Sequence, residues 1–228
     1  MPASTLLASL RTAYRIEVAD TPALVREALR LRYQVFVRER AIFKPGAEEP
    51  IETDEFDAWS HHLLIRRRDD REAIGTARLV TALPDRPVSM PIQRVCDPDL
   101  LAEIPLGHVG EISRFAISKH RRGGGDPRLD SLLLLTLVEG VLHLSLRLGL
   151  THWCAVMERS LMRLLRSVGI HFTPVGPVIP YYGPRQPAVA KIASVLDEGE
   201  RQCPLYHEFV TRARQHGWRP TQAMRLSA

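Results

Sequence analysis

Three side chains able to do chemistry stand close together in an otherwise apolar stretch, Val109 to Ser118: the carboxylate of Glu111, the hydroxyl of Ser113 and the guanidinium of Arg114. Around them Ile112, Phe115 and Ile117 read as a strand, and its alternation is expected to present all three polar groups to one face. Polar groups in an apolar strand cost stability unless they are paired or used. The basic run Lys119-His-Arg-Arg-Gly-Gly-Gly-Asp126 follows, and then a leucine-rich stretch over 129–148 that reads as a mostly buried helix. Strand, glycine-rich basic loop and helix together are a way to hold a phosphate, because glycines let backbone N–H groups approach an anion and the helix start adds positive potential. Arg121, Arg122, Gly123, Gly124 and Gly125 are the candidates for that contact.

A second concentration of charge lies upstream. The run Glu48-Glu-Pro-Ile-Glu-Thr-Asp-Glu-Phe-Asp57 is strongly acidic within a chain of net charge +5. Composition favours a solvated acidic loop; the functional reading is a site for a cation or an amine. Arg32 and Arg78 are the notable polar members of a helix and a strand, and a lone strand arginine is expected to face solvent. Arginines and carboxylates in adjacent elements either pair to order a loop or contact substrate, and both readings stand for Arg32, Arg78 and Arg114.

These groups need elements to hold them. Asp20-Thr-Pro-Ala starts a helix, with a capping residue and a proline in the first turn, and Leu24, Ala28, Leu31, Val35 and Phe36 recur at helical spacing to about Arg40. Residues 4–13 are expected to form a short helix and Arg15 to Val18 a short strand. Residues 41–60 read as loop, His62 to Arg67 and Ala73 to Leu83 as a hairpin, and Asp97-Pro-Asp-Leu as the start of a short helix. Then come a strand over Thr151 to Met157, a helix over Glu158 to Val168, a strand over His171 to Val175, a proline- and glycine-rich crossing to Arg185, and helices over 186–198 and 204–216. The order predicts one α/β domain with a mixed sheet, with 1–14 an N-terminal helical extension and 177–228 a C-terminal extension.

Composition sets the bounds. The 228 residues are 45% hydrophobic and 25% charged, enough to bury a core without staples. The basic balance suits an anionic partner without choosing one. Three widely spaced cysteines argue against a disulfide framework, and no cysteine or histidine pair has metal-ligand spacing. No signal peptide and no membrane span is read, so the chain is expected to be soluble and cytoplasmic. Aromatic content of 6%, with no recognition-helix pattern, argues against a nucleic-acid-binding module, which remains the non-enzymatic alternative.

Taken in order, Arg32-Tyr-Gln-Val-Phe36, Glu52-Thr-Asp-Glu-Phe-Asp57, Gly75-Thr-Ala-Arg-Leu79 and Glu111-Ile-Ser-Arg-Phe115 resemble the acyl-homoserine-lactone (autoinducer) synthases. That family carries an Arg-x-x-x-Phe helix, a Glu-x-Asp-x-x-Asp loop, a Gly-x-x-Arg strand and a Glu-x-Ser-Arg strand. Its usual tryptophan between the first helix and the acidic loop is absent here, where the chain reads Ala41-Ile-Phe-Lys44. The ending Tyr181-Tyr-Gly-Pro-Arg-Gln-Pro187 looks more like relatives that make N-acyl amino acids and the acyltransferases associated with exosortase (PEP-CTERM) systems. Arg121-Arg-Gly-Gly-Gly125 is similar to the pyrophosphate loop of the GNAT fold.

The resemblance implies a GNAT-like, three-layer α-β-α fold with a central mixed sheet, and an N-acyltransferase. The implied donor is an acyl chain on the phosphopantetheine of acyl carrier protein or coenzyme A, with no permanently bound cofactor; the implied acceptor is the amine of an amino acid or similar small molecule. An acetyl-coenzyme A-dependent transferase is the alternative enzyme. Aminolysis of a thioester needs a neutral amine, a stabilised oxyanion and a leaving thiolate. Glu111 with Glu52, Asp54 and Asp57 are candidates to hold the amine and relay its proton. Arg32, Phe36 and Arg78 are candidate substrate contacts, an arginine fork matches an acceptor carboxylate, and Ser113 is a hydrogen-bonding ligand. Backbone N–H groups at a bulge in the central strand would face the oxyanion. Part of the leucine-rich core must open to admit a long acyl chain. If the donor is acyl carrier protein, which is acidic, then Arg66, Arg67, Arg68, Arg121, Arg122, Arg159, Arg163 and Arg166 are docking candidates.

Overall fold

The computed structural model describes residue 10 and residues 12–44, 49–83, 88–102, 104–122 and 127–202. A short strand, β1 (Tyr14–Val18), leads into helix α1 (Pro22–Tyr33), which continues as a π-helical turn over Gln34–Glu39. Pro22 opens α1, and the capping residue before it is Thr21: its Oγ1 accepts from the N–H of Leu24 at 3.3 Å. The π turn is a wide turn of the kind found at functional sites, and it carries Phe36 and Glu39. A 3-10 turn (Glu55–Trp59) then precedes the hairpin β2 (Ser60–Arg67) and β3 (Ala73–Thr81).

Beyond the hairpin lie α2 (Pro98–Leu101), β4 (Val109–Ile117), the single turn α3 (Lys119–Arg122) and the long helix α4 (Pro127–Arg147). The described residues continue with β5 (His152–Met157), α5 (Arg159–Ser167), the two-residue strands β6 (Thr173–Pro174) and β7 (Ile179–Pro180), β8 (Pro184–Lys191) and α6 (Ile192–Gln202). The strands lie in the order β1-β2-β3-β4-β5-β8-β6, with β7 pairing β8. Every pairing is antiparallel except β4 with β5.

Alternation along β2 sends Leu64 to the α1 side, against Leu31 and Val35, and Leu63 and Ile65 to the α4 side, against Leu133, Leu137 and Val141. Helices therefore cover both faces of the sheet, and its central strands are buried from both sides.

Two features of β4 shape the centre. First, Thr76 faces Ala116 and Arg78 faces Ser113, so Ala77 alone opposes both Arg114 and Phe115. That bulge puts Arg114 at φ 50°, a left-handed conformation that a side-chain-bearing residue adopts at a cost of roughly 1–3 kcal/mol. Second, β4 and β5 pair only at Val109 with His152, Gly110 with Trp153 and Glu111 with Cys154, after which the two strands part.

The C-terminal part departs from expectation. The strand over His171 to Val175 shrinks to Thr173–Pro174, and the helix expected over 186–198 is β8 followed by α6. Residues 184–191 of the expected extension thus supply a strand inside the sheet, between β5 and β6. The helix expected over 204–216 lies outside the described residues, as does most of the one expected over 4–13.

Candidate active site

The acidic loop is paired, not solvated. Arg32 is fully buried and donates from Nε to Glu52 Oε2 at 2.6 Å and from Nη1 to Asp57 Oδ1 at 2.6 Å. Arg78, expected at the surface, is also fully buried. It donates from Nη1 to Asp54 and to Asp57 Oδ1 (2.8 Å), and from Nε to the hydroxyl of Ser113 (3.0 Å). Arg114 donates from Nε to both carboxylate oxygens of Glu52, each at 3.0 Å, and from Nη2 to Asp54 Oδ2 at 2.9 Å. Asp54 and Asp57 also cap the 3-10 turn: Asp54 Oδ1 accepts from Phe56 N at 3.0 Å and Asp57 Oδ2 from Asp54 N at 2.8 Å. Three arginines from α1, β3 and β4 thus balance three carboxylates of one loop.

Strict alternation along β4 would turn Arg114 away from Glu111 and Ser113. The bulge brings it to the side where Arg78 meets Ser113, so the shared face expected from sequence exists because the strand is irregular. Burial raises the proton affinity of Glu52 and Asp57, but Arg32 with Arg114, and Arg32 with Arg78, outweigh it and hold both carboxyls below their ordinary range. His62 lies buried with Nε2 at 3.7 Å from Asp57 Oδ1. Burial and the nearby Arg32 and Arg78 push it down to about 4, against the pull of Asp57, so it is neutral.

Glu111 differs from the other three acids. It is 1% exposed, and its Oε2 accepts from the N–H of Ile92 at 2.7 Å. Burial pushes it up to about 8, with Ile92, Arg78 and Arg114 only partly opposing. It is therefore mostly protonated at neutral pH and poised near the pH where a proton acceptor works best.

Where β4 and β5 part there is a cavity of about 380 Å³. Glu111, Ser113 and Arg114 line it, while Leu134, Val138, Val141, Leu161, Leu165 and Ile170 give it an apolar interior. Trp153 forms part of that wall, fully buried and pinned by its Nε1–H to Ser145 Oγ at 2.8 Å. Phe36 belongs to both the core and the cavity wall. Arg40, Lys119 and Arg122 also line the cavity. Glu39 on the π turn accepts from Lys119 N at 2.9 Å and from Ser118 Oγ, tying the end of β4 to α1's extension.

Of the expected phosphate contacts, Arg121 donates instead to the carbonyl of Ala73 at 3.1 Å, and Gly123, Gly124 and Gly125 lie outside the described residues. Arg32, Glu52, Asp54, Asp57 and Arg78 do not line the cavity. The sequence reading missed an aromatic wall. Phe36 meets Phe43 edge to face (centroids 5.7 Å apart), Phe43 meets Tyr182 (4.7 Å), Tyr182 meets Tyr181 (4.8 Å), and the Arg114 guanidinium lies 4.9 Å from the Phe43 centroid. Aromatic residues in loops were its only signal, and Phe43 occupies the region where the autoinducer synthases carry their tryptophan.

Residues 31–129 match the family model described as an acetyltransferase (GNAT) domain. The chain has the GNAT fold. Solved structures of the same GNAT fold include TofI in an apo form (25% identity, 83% of this chain and 99% of that one, TM-score 0.59). Others are the CoA-dependent acyl-homoserine lactone synthase MesI (21%, 88% and 95%, 0.58) and FeeM, an N-acyl amino acid synthase from uncultured soil microbes (15%, 86% and 97%, 0.60). No curated protein matches the chain by sequence. Among the described residues, no helix is long and apolar enough to cross a membrane.

Proposed function

We propose that this chain is an N-acyltransferase that moves a fatty acyl group from a phosphopantetheine thioester, on acyl carrier protein or coenzyme A, to the amine of an amino acid or similar small molecule. The observation that carries the reading is the cavity between β4 and β5, apolar along α4 and α5 and lined by the carboxyl of Glu111. It is larger than an acetyl group needs. The likeness to MesI and FeeM supports the class of reaction.

In this reading the amine nitrogen attacks the thioester carbonyl carbon. Its proton passes to ionised Glu111, directly or through water. Beyond Glu111 the β4 N–H groups on the β5 side have no strand partner, and they face the developing oxyanion. The C–S bond then breaks and the sulfur leaves as a thiolate, which takes up the proton that Glu111 received, directly or through water. Glu52, Asp54, Asp57, Arg32 and Arg78 act by fixing Arg114 and the loop, not by touching the amine. Arg40, Lys119 and Arg122 suit the phosphate of the donor.

Of the docking candidates for acyl carrier protein, Arg66 is withdrawn: it is 6% exposed and paired with Glu17 and Glu27. Arg159, Arg163 and Arg166 on α5 are exposed and have no ion pair among the described residues. The same helix lines the cavity through Leu161 and Leu165. A carrier docked there would sit beside the acyl slot. Work in the cytoplasm and beside an exosortase system belong to this proposal as well.

Trp153 and its bond to Ser145 limit the apolar slot in this reading. Trp153→Leu is expected to shift the preferred acyl chain to a longer one, read by competition between thioesters of mixed length; an unchanged preference would place the limit elsewhere. The reading itself is tested by mass spectrometry of lipid extracts from cells making the chain, beside cells making Glu111→Gln, and by thiol release from the purified protein. A new N-acyl amino acid that the variant does not make is expected. Purified protein releasing no thiol from long-chain acyl carrier protein or acyl-coenzyme A, with amino acids present, would overturn it.

A further inference from the structure

Among the described residues, Arg114 and Tyr181 each keep a hydrogen-bond donor unused on the cavity wall. Arg114 spends Nε and Nη2 on Glu52 and Asp54, and its Nη1 has no hydrogen-bond partner. The hydroxyl of Tyr181 has none either, although the residue is half-buried against the cavity. Of the three networked arginines, only Arg114 lines the cavity; Arg32 and Arg78 are fully enclosed.

Both donors are held in place. The N–H of Tyr181 is shared between the carbonyls of Ile179 (3.1 Å) and Gly183 (2.9 Å). Tyr182 next to it is held at φ 53°, a strained conformation for a tyrosine, and its ring is seated on Phe43. Phe43 in turn lies under the Arg114 guanidinium. On the other side of the crossing, Arg185 pairs with Glu158 of the segment that starts α5, at 3.1 Å. The crossing is therefore anchored at two points with the Tyr181 phenol between them.

We infer that Arg114 Nη1 and the Tyr181 hydroxyl form the seat of a carboxylate on the acceptor, so that the acceptors are α-amino acids and not simple amines. The inference rests on the acyl-transfer reading above and adds to it the residues that select an acceptor bearing a carboxylate. The charges facing the seat permit an anion. Glu52 and Asp54 are neutralised by the arginines that bridge them, and Glu111 is kept mostly protonated by its burial. Burial also raises Tyr181 above the ordinary phenol range, in spite of Arg114 nearby, which keeps it a donor. A carboxylate here would sit beside Glu111, within one small molecule's reach of the proton acceptor. An amine lacking it would leave two partly desolvated donors unpaired.

The test uses product binding, which needs no donor. N-octanoyl derivatives of glycine, alanine and phenylalanine, and of the matching amino amides, are titrated into the full chain by calorimetry. The acids are expected to bind roughly tenfold or more tightly than the amides. Tyr181→Phe should narrow that gap while leaving the melting temperature and the affinity for the amides unchanged. Equal affinity of acids and amides, or a gap untouched by Tyr181→Phe, would overturn the seat while leaving the acyl slot in place. No binding of either series would overturn the seat and count against the acyl-transfer reading as well, and thiol-release assays then show whether that reading survives alone.

Discussion

Replacing Glu111 with glutamine is expected to lower kcat/KM for acyl transfer by roughly 100-fold or more, the usual worth of a positioned proton acceptor. Glutamine keeps an oxygen that can accept from Ile92 N–H, so the fold should survive. The wild-type rate should climb with pH toward a plateau above about 8, as the buried carboxyl ionises, and the residual rate of the variant should lack that limb. Stability should move the opposite way. Because burial raises the carboxyl's folded-state affinity for a proton above its unfolded value of 4.5, the wild type is best placed below 4.5 and loses that advantage as pH rises through about 8. Glu111→Gln has no such loss, so its melting temperature relative to wild type should rise between pH 5 and pH 8. A variant of full activity, or one whose relative stability is flat across that range, would remove Glu111 from the role.

The contrast between Glu111 and its acidic neighbours marks what could be read from sequence. Local pattern was enough for the cap at Thr21 and Pro22 to within a residue, for the hairpin over β2 and β3, and for β4 followed by a long leucine-rich helix. It failed at β8, where Gln186-Pro-Ala-Val-Ala-Lys191 reads as helical by its small residues but is drawn into the sheet by β5 and β6. That pairing is a long-range contact which local propensity does not encode. The acidic loop was misread for the same reason. Signs of charge are visible along a chain, but the partners of Asp57 come from α1 and β3, 25 and 21 positions away in sequence. Arg114 shows the limit most clearly: no glycine announces the bulge, yet its left-handed backbone decides which side the guanidinium takes.

Arg32→Ala is expected to destabilise the fold by about 3–5 kcal/mol, the cost of removing one partner from a buried ion network. Arg32 holds Glu52 and Asp57 at once, and its loss leaves three carboxylates facing two arginines in a mostly buried site. For a chain of this size that loss lowers the melting temperature by roughly 2–4 °C per kcal/mol. Its dependence on pH separates a network role from a simple packing one. In the wild type, Glu52 and Asp57 are held below their ordinary range, so their pairing stabilises the fold above the unfolded carboxyl values of 4.5 and 3.8 and is lost as pH falls below them. The variant should therefore lie furthest below wild type at neutral pH, and the gap should close as its uncompensated carboxylates protonate. A gap independent of pH would mean that only the packing of the Arg32 stem was lost. Glu52→Gln in the same chain should recover part of the deficit by removing the surplus charge. If it does, the arginines of α1 and β3 serve to hold a neutral platform, and its one exposed product is Arg114, the guanidinium that reaches the cavity with a donor to spare.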